Sequence, residues 1–231
     1  MLRLIELESG YGSVRVLRRV SLEVRRGACV VVLGRNGVGK STLLQSIVGL
    51  VPTTSGMVQF AGDELTGLPA YKIARRGIAF VPQGRGILPK LTVGENLIAG
   101  TRAAGSNGQI PPQIYEYFPI LKERFHQLGG TLSGGQQQML ALGRALCGKP
   151  KVLLLDEPSE GIQPNIVAEL ATILPGIMKE EGLSMLVVEQ NLDLALKIGD
   201  RFVFMDKGQI VHEYEREQIS DPSEVERYLV I

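Results

Sequence analysis

Hydrophobic and polar positions alternate over Leu2 to Glu8 and again over Ser21 to Val24, the period-two pattern of half-solvated antiparallel strands. Gly10-Tyr11-Gly12 and Arg26-Gly27 punctuate them as turns. The pattern then changes. Cys29 to Leu33, Ile78 to Val81, Val152 to Leu155 and Ser184 to Val188 are short apolar runs, as expected of core strands in a parallel sheet. Helical spacing follows Ser41, starts at Pro69 and runs to Arg76, and spans Gln136 to Gly148 and Asn165 to Glu181. Pro175-Gly176 should kink or split the last of these near Leu174. Pro52 to Gly56 is predicted as a turn before a short strand at Met57 to Phe60. Phe202 to Met205 and Gln209 to Glu213 form a hairpin around Asp206-Lys207-Gly208, and Ser223 to Leu229 makes a closing helix. The expected fold is α/β, with a mainly parallel core sheet and an N-terminal antiparallel β part.

From Gly84 to about Gly130 the helical pieces are interrupted by glycine and proline, with Gly105 to Gly108 as a flexible connection and Pro111-Pro112 opening a helix. This region is predicted to be an inserted helical lobe, with Tyr115, Tyr117, Phe118 and Phe125 as its small core. A chain of 231 residues accommodates one large domain with such an insertion and is too short for two full domains.

Charge and composition narrow the partners. Lysine and arginine number 25 against 24 acids, which leaves no excess for wrapping nucleic acid or for a polybasic membrane anchor. No apolar run approaches the roughly 18 residues of a membrane span, and the N-terminus lacks the basic and apolar blocks of a signal peptide. Cys29 and Cys147, in an apparent strand and an apparent helix, fit a reducing compartment and lack metal-ligand spacing.

The chemistry concentrates where strands end. Gly34-Arg35-Asn36-Gly37-Val38-Gly39-Lys40-Ser41-Thr42 joins a buried strand to a helix start, the context that a phosphate-binding P-loop requires. Its glycines let the backbone wrap the phosphates, the helix N-terminus favours a polyanion, Lys40 adds a point charge and Ser41 supplies a hard oxygen for Mg²⁺. Asp156 and Glu157 follow a buried strand, where carboxylates are costly unless partnered, and a Mg²⁺-nucleotide is such a partner. Asp156 can hold the ion through its water shell, and Glu157 can orient or deprotonate an attacking water. Gln83 lies on the same ligand edge, where it could meet a metal-bound water. Ser133 caps a helix whose start, with Gly134 and Gly135, makes a second anion-binding position. Tyr11, read alone, fits a packed turn residue better than a base-stacking one.

Taken together, GRNGVGKST at Gly34, Gln83 after a strand, LSGGQ at Leu132 and VLLLDE at Val152 resemble the ATP-binding subunit of an ATP-binding-cassette (ABC) transporter over essentially the whole chain. VPQGR at Val81, LTVGENL at Leu91, EPSEGIQP at Glu157 and VEQN at Val188 are similar to import cassettes for branched-chain amino acids and, most closely, urea. The resemblance implies a P-loop NTPase of the ABC ATPase fold, with residues 1–83 and 150–231 as nucleotide-binding core and 84–149 as the helical subdomain. It implies ATP and Mg²⁺ as ligands, with Ser41, Gln83 and Asp156 on the metal, and a head-to-tail dimer in which Ser133, Gly134, Gly135 and Gln136 of one subunit meet nucleotide held by the other. Tyr11 becomes the adenine-stacking residue on the same basis. The implied setting is the cytoplasmic face of the inner membrane, with two transmembrane permease subunits, a second ABC ATPase subunit and, indirectly, an external solute-binding protein. A soluble ABC ATPase acting on ribosomes or DNA is the alternative; tandem cassettes or a long coiled-coil insertion would mark it, and this sequence has neither. Two positions depart from the family pattern: Gln190 stands where a histidine usually contacts the γ-phosphate, and Ser159 to Gln163 lacks the usual aspartate.

Overall fold

The computed structural model describes residues 1–103 and 105–219. In chain order these give β1 (Leu2–Tyr11), β2 (Val14–Val24), β3 (Cys29–Leu33), α1 (Lys40–Ile47), β4 (Thr53–Phe60), β5 (Asp63–Glu64), α2 (Ala70–Arg75) and β6 (Ile78–Val81). The lobe follows with α3 (Val93–Ala103), α4 (Gln113–Tyr117), α5 (Pro119–Glu123) and α6 (Gly134–Leu146). The chain returns through β7 (Val152–Asp156), α7 (Pro164–Glu181), β8 (Ser184–Glu189), α8 (Leu192–Ile198), β9 (Arg201–Asp206) and β10 (Gln209–Glu215). The helix expected at Ser223 to Leu229 lies outside the described residues.

Two sheets form. One is antiparallel in the order β2-β1-β4-β5, and the other runs β10-β9-β3-β8-β7-β6 with β10 as its antiparallel edge. Strands β9, β3, β8, β7 and β6 are parallel. Every residue of β3, β7 and β8 is buried, which explains their unbroken apolar character. Alternate residues feed opposite faces: Val31, Leu153 and Val187 pack with the helical lobe and α7, while Val30, Leu154 and Leu186 pack with α1 and the antiparallel sheet. Because the strands are parallel, the ends of β3, β8, β7 and β6 open on one edge in that order. This single fact positions the site.

Several local expectations give way to tertiary packing. The predicted turn at Pro52 to Gly56 is the first half of β4, which pairs with β1 across a register shift between Ile5 and Glu8. Gly56 has φ 83°, and a Cβ there would come within 2.2 Å of the Glu6 carbonyl oxygen, so the glycine serves a bulge instead of a reversal. Tyr11 likewise belongs to β1, paired with Val14, and the turn is displaced to Gly12-Ser13. Helix α7 runs unbroken through Pro175, with Leu170, Ala171, Leu174, Ile177 and Met178 buried on both sides of the proline. Burial of one continuous stripe outweighs the hydrogen bond that proline cannot donate.

The aromatic core expected for the lobe is only partly as read. Phe118 is buried, Tyr115 and Tyr117 are half-buried, and Phe125 is half-buried with its ring against Gly94. Phe118, Leu97 and Leu121 share one buried cluster with Leu153 and Leu155 of the sheet, so the lobe has no separate core. Phe118→Ala should therefore destabilise the whole protein by about 3–5 kcal/mol in a single denaturant transition. A separate early transition for the lobe would contradict the shared core.

Candidate functional site

The P-loop backbone coils because it must pass close to the β9 end. A Cβ on Gly34 would lie 2.4 Å from the Met205 carbonyl oxygen, and Gly39, with φ 109°, is the N-cap of α1. Lys40, the first residue of that helix, is 4% exposed and turns its ammonium back into the loop. Its Nζ donates to the carbonyls of Gly34 (2.6 Å) and Arg35 (3.1 Å) and stands 3.3 Å from Glu157 Oε1. Three oxygen acceptors are thus gathered around the cation.

Neighbouring strand ends supply the rest in the order of the sheet. Gln190, just after β8, donates from Nε2 to Asn36 Oδ1 of the loop (2.6 Å) and to Glu157 Oε1 (2.7 Å). Gln83, after β6, donates to Glu160 Oε2 (2.9 Å) and, at 3.4 Å, to Glu157 Oε2. Ser41 Oγ donates to Asp156 Oδ1 at 2.9 Å. Glu157 itself has φ 47°, an unusual conformation for a residue with a side chain, fixed by its amide bonding the Val188 carbonyl at 2.9 Å. Strain of this kind persists where surrounding structure determines it, and here it aims the carboxylate at Lys40.

Asp156 is 2% exposed, and its Oδ2 has no hydrogen-bond partner. Burial pushes its carboxyl above the usual carboxylate range and the adjacent Glu157 adds to the rise, against the lowering effect of the Ser41 bond. A bare buried carboxylate oxygen beside a serine hydroxyl offers hard oxygen donors, which fit Mg²⁺.

The helix start at α6 is built differently. Ser133 and Gln136 form a reciprocal cap: the Gln136 amide donates to Ser133 Oγ (3.4 Å) and the Ser133 amide to Gln136 Oε1 (3.1 Å). A Cβ on Gly134 would touch the Arg85 guanidinium at 3.1 Å, and one on Gly135 would touch Ile166 of α7 at 2.9 Å. Packing within the chain thus restricts Gly135 strongly, whereas a side chain at Gly134 would need the Arg85 guanidinium to shift by a few tenths of an ångström. Tyr11 is 52% exposed at the end of β1, and its hydroxyl donates to Gln45 of α1 at 2.9 Å. Its ring is not the packed turn residue that the isolated sequence suggests.

The sequence patterns missed two residues. Glu189, 1% exposed, accepts the amides of Ser159 (2.9 Å), Gln190 (2.7 Å) and Asn191 (2.9 Å), joining the loop after Glu157 to the loop carrying Gln190. An acid closing a wholly buried strand was the available signal. Arg85 is the second: it closes the VPQGR run that carries the family resemblance, but that run alone assigns the arginine no contact.

The model of the ABC transporter family matches residues 17–160. The chain belongs to the ABC transporter family. A high-affinity branched-chain amino acid transport ATP-binding protein from Pseudomonas aeruginosa, BraG, is 43% identical over 99% of this chain and 99% of its own length. The probable branched-chain amino acid transport ATP-binding protein LivF of Archaeoglobus fulgidus is 36% identical over 91% of this chain and 90% of its own. Among solved structures, a dimeric post-hydrolysis state of an ATP-binding cassette with ADP and Pi matches with a TM-score of 0.83 at 25% identity, covering 94% of this chain and 99% of that one. The ABC ATPase fold and ATPase activity expected from the motifs are thereby established for this chain.

Asp156 gives this site a measurable pH signature. Its raised carboxyl means that the folded state binds the proton more tightly than the unfolded chain, so ionised Asp156 costs stability at neutral pH and the cost fades as pH falls through the folded pKa. Asp156→Asn should raise the thermal midpoint of nucleotide-free protein by a few degrees at pH 7, with a shrinking gain at acid pH, and should lose Mg²⁺-dependent nucleotide binding. A lower midpoint at pH 7 would contradict this account.

Proposed function

We propose that this ABC transporter ATPase powers the import of branched-chain amino acids, with Glu157 as the general base for hydrolysis. The observation that carries the catalytic assignment is convergence: Lys40, Gln83 and Gln190 reach Glu157 from three different elements, and its own backbone is held at positive φ to meet them. The solute assignment rests on the two amino-acid transport relatives. Urea, suggested by motifs alone, has no such support and takes second place.

On this reading the P-loop amides and the start of α1 bind the β- and γ-phosphates, and Lys40 transfers its bonds from Gly34, Arg35 and Glu157 to phosphate oxygens. Mg²⁺, held by Ser41 and Asp156 with Gln83 beside it, would neutralise phosphate charge. Gln83 and Gln190 orient Glu157, which accepts the proton of the attacking water. Tyr11 stacks on adenine, with its hydroxyl tied to Gln45. Ser133, Gly134, Gly135 and Gln136 serve the nucleotide of a facing subunit, and the departures at Gln190 and Ser159 to Gln163 favour a different ATPase chain as that subunit, with unequal composite sites.

No helix of the described residues is long and apolar enough to cross a membrane, and on the transporter reading permease subunits supply the path for the solute. A cavity of about 390 Å³ between core and lobe is lined by apolar residues including Leu50, Ala74, Phe80, Leu88 and Ala99. Its position beside the strand that leads to Gln83 suits a cytoplasmic helix of the permease, and Leu50 and Leu88 present exposed apolar surface at it.

Two measurements test these assignments. Glu157→Gln should lower turnover by about 10²–10⁴-fold while nucleotide binding persists; near-normal turnover removes the general-base role. Leu50→Asp should keep ATP binding and stability but lose permease chains from a mild-detergent purification. Recovery of ribosomal or DNA-repair proteins with the unmutated chain, in place of permeases, would overturn the transport reading and leave the ATPase standing.

A further inference from the structure

Arg85 occupies a point where three functional segments meet. Its Nη1 donates to Gln137 Oε1 in the first turn of α6 (3.0 Å), and its Nη2 donates to the Gly161 carbonyl in the loop after Glu157 (3.0 Å). Its backbone lies two residues beyond Gln83. Gln137 in turn donates to the Leu132 carbonyl at 3.1 Å, so the guanidinium is linked to both sides of the Ser133 cap. The nearest atom to a Cβ on Gly134 is Arg85 Nη2, at 3.1 Å.

The local backbone is built to deliver this side chain. Gly84, Arg85 and Gly86 have φ of 74°, 72° and 57°, three left-handed residues in succession, a conformation that a residue with a side chain such as Arg85 rarely adopts. A second arginine fastens the same segment to the far end of α6, through Arg144 Nη2 and the Gly86 carbonyl at 2.7 Å. Segment 83–86 and α6 are therefore tied at two separated points. The loop after Glu157 is gripped from both sides as well: Glu189 holds the Ser159 amide, Gln83 holds Glu160, and Arg85 holds the Gly161 carbonyl.

We propose that Arg85 is a positioning residue that couples the hydrolysis site of this chain to its signature helix, so that movement of Gln83 and of the loop after Glu157 reorients Ser133 and Gly134. The inference rests on the reading above that these signature residues serve the nucleotide of a facing subunit. One guanidinium then links the chemistry of one composite site to the geometry of the other. Arginine suits the task because its planar fork reaches two acceptors at once, whereas lysine would keep the charge and reach one.

The test is made on the chain in complex with the subunits it assembles with, comparing Arg85→Ala, Arg85→Lys, Gln137→Ala and the Arg85→Ala/Gln137→Ala double variant. Arg85→Ala should lower kcat by about tenfold to a hundredfold, the effect of misplaced catalytic geometry, with the KM for ATP and nucleotide affinity of the isolated chain unchanged. Gln137→Ala should lower kcat in the same sense and add little to Arg85→Ala, because the two share one interaction. Arg85→Lys should fall between wild type and Arg85→Ala, and it carries the same kcat-against-KM prediction should the alanine variant not fold. Independent, multiplicative effects of the Arg85 and Gln137 variants, or a loss confined to nucleotide affinity, would overturn the coupling role. Ser133→Arg separates the two levels: lost turnover there with normal turnover in Arg85→Ala refutes the coupling alone, whereas near-normal turnover in Ser133→Arg removes the signature reading beneath it.

Discussion

Carboxylates delivered by a strand buried on both faces must find compensation at the strand end, and that requirement shapes this protein. Asp156 and Glu157 emerge from β7 where water is largely excluded, and leaving an ionised carboxylate there unpaired would cost several kcal/mol. Lys40 balances Glu157 at 3.3 Å and Ser41 bonds Asp156 at 2.9 Å, so the start of α1 has to lie against the end of β7. The P-loop can bring α1 there because Gly34 passes the Met205 carbonyl without a side chain. Asp156 Oδ2 keeps no hydrogen-bond partner, and on the proposed mechanism a cation bound with the nucleotide would answer that residual demand. Folding and ligand binding thus draw on the same electrostatic need.

The elements that the sequence made legible are those in which local pattern and tertiary environment agree. Strands β3, β7 and β8 are apolar because both faces are covered, so their extents and their chemistry-bearing ends could be read directly. Disagreement came at Gly56 and Pro175, residues that break regular structure on average but here sit in a bulged strand and a packed helix. Local preferences there are smaller than the burial gained by continuing. The same logic separates the site residues. Lys40, Ser41, Asp156, Glu157 and Gln83 belong to patterns with a stated chemistry, whereas Arg85 reaches Gln137 and the Gly161 carbonyl and Glu189 reaches the Ser159 amide, partners far away in sequence that no local pattern encodes.

The two glycines of the signature illustrate how one residue type answers two constraints. Phosphate recognition requires backbone amides that can be approached closely. Yet Gly134 faces Arg85 and Gly135 faces Ile166 within the same chain, so each is also restricted by the contacts that fix α6 on the core. A substitution at either would disturb the orientation of the helix before it met a nucleotide, and loss of function there would not by itself report phosphate contact. Ser133 is different: it is exposed, and its hydroxyl is held only by the cap with Gln136, which leaves it free to gain a further partner.

Gln190 bears on how the charge at the site is redistributed. Its neutral amide uses one nitrogen to bridge Asn36 and Glu157, so it can fix the carboxylate against the P-loop but cannot supply the positive charge that histidine could carry in its place. Neutralisation of a bound γ-phosphate then falls more heavily on Lys40 and the divalent cation. On the mechanism proposed above, the move of Lys40 toward phosphate leaves Glu157 held by Gln190 and Gln83. The hydrogen bond from Gln190 keeps Glu157 aimed during that exchange, so a neutral residue at this position preserves the geometry that the proposed general base needs.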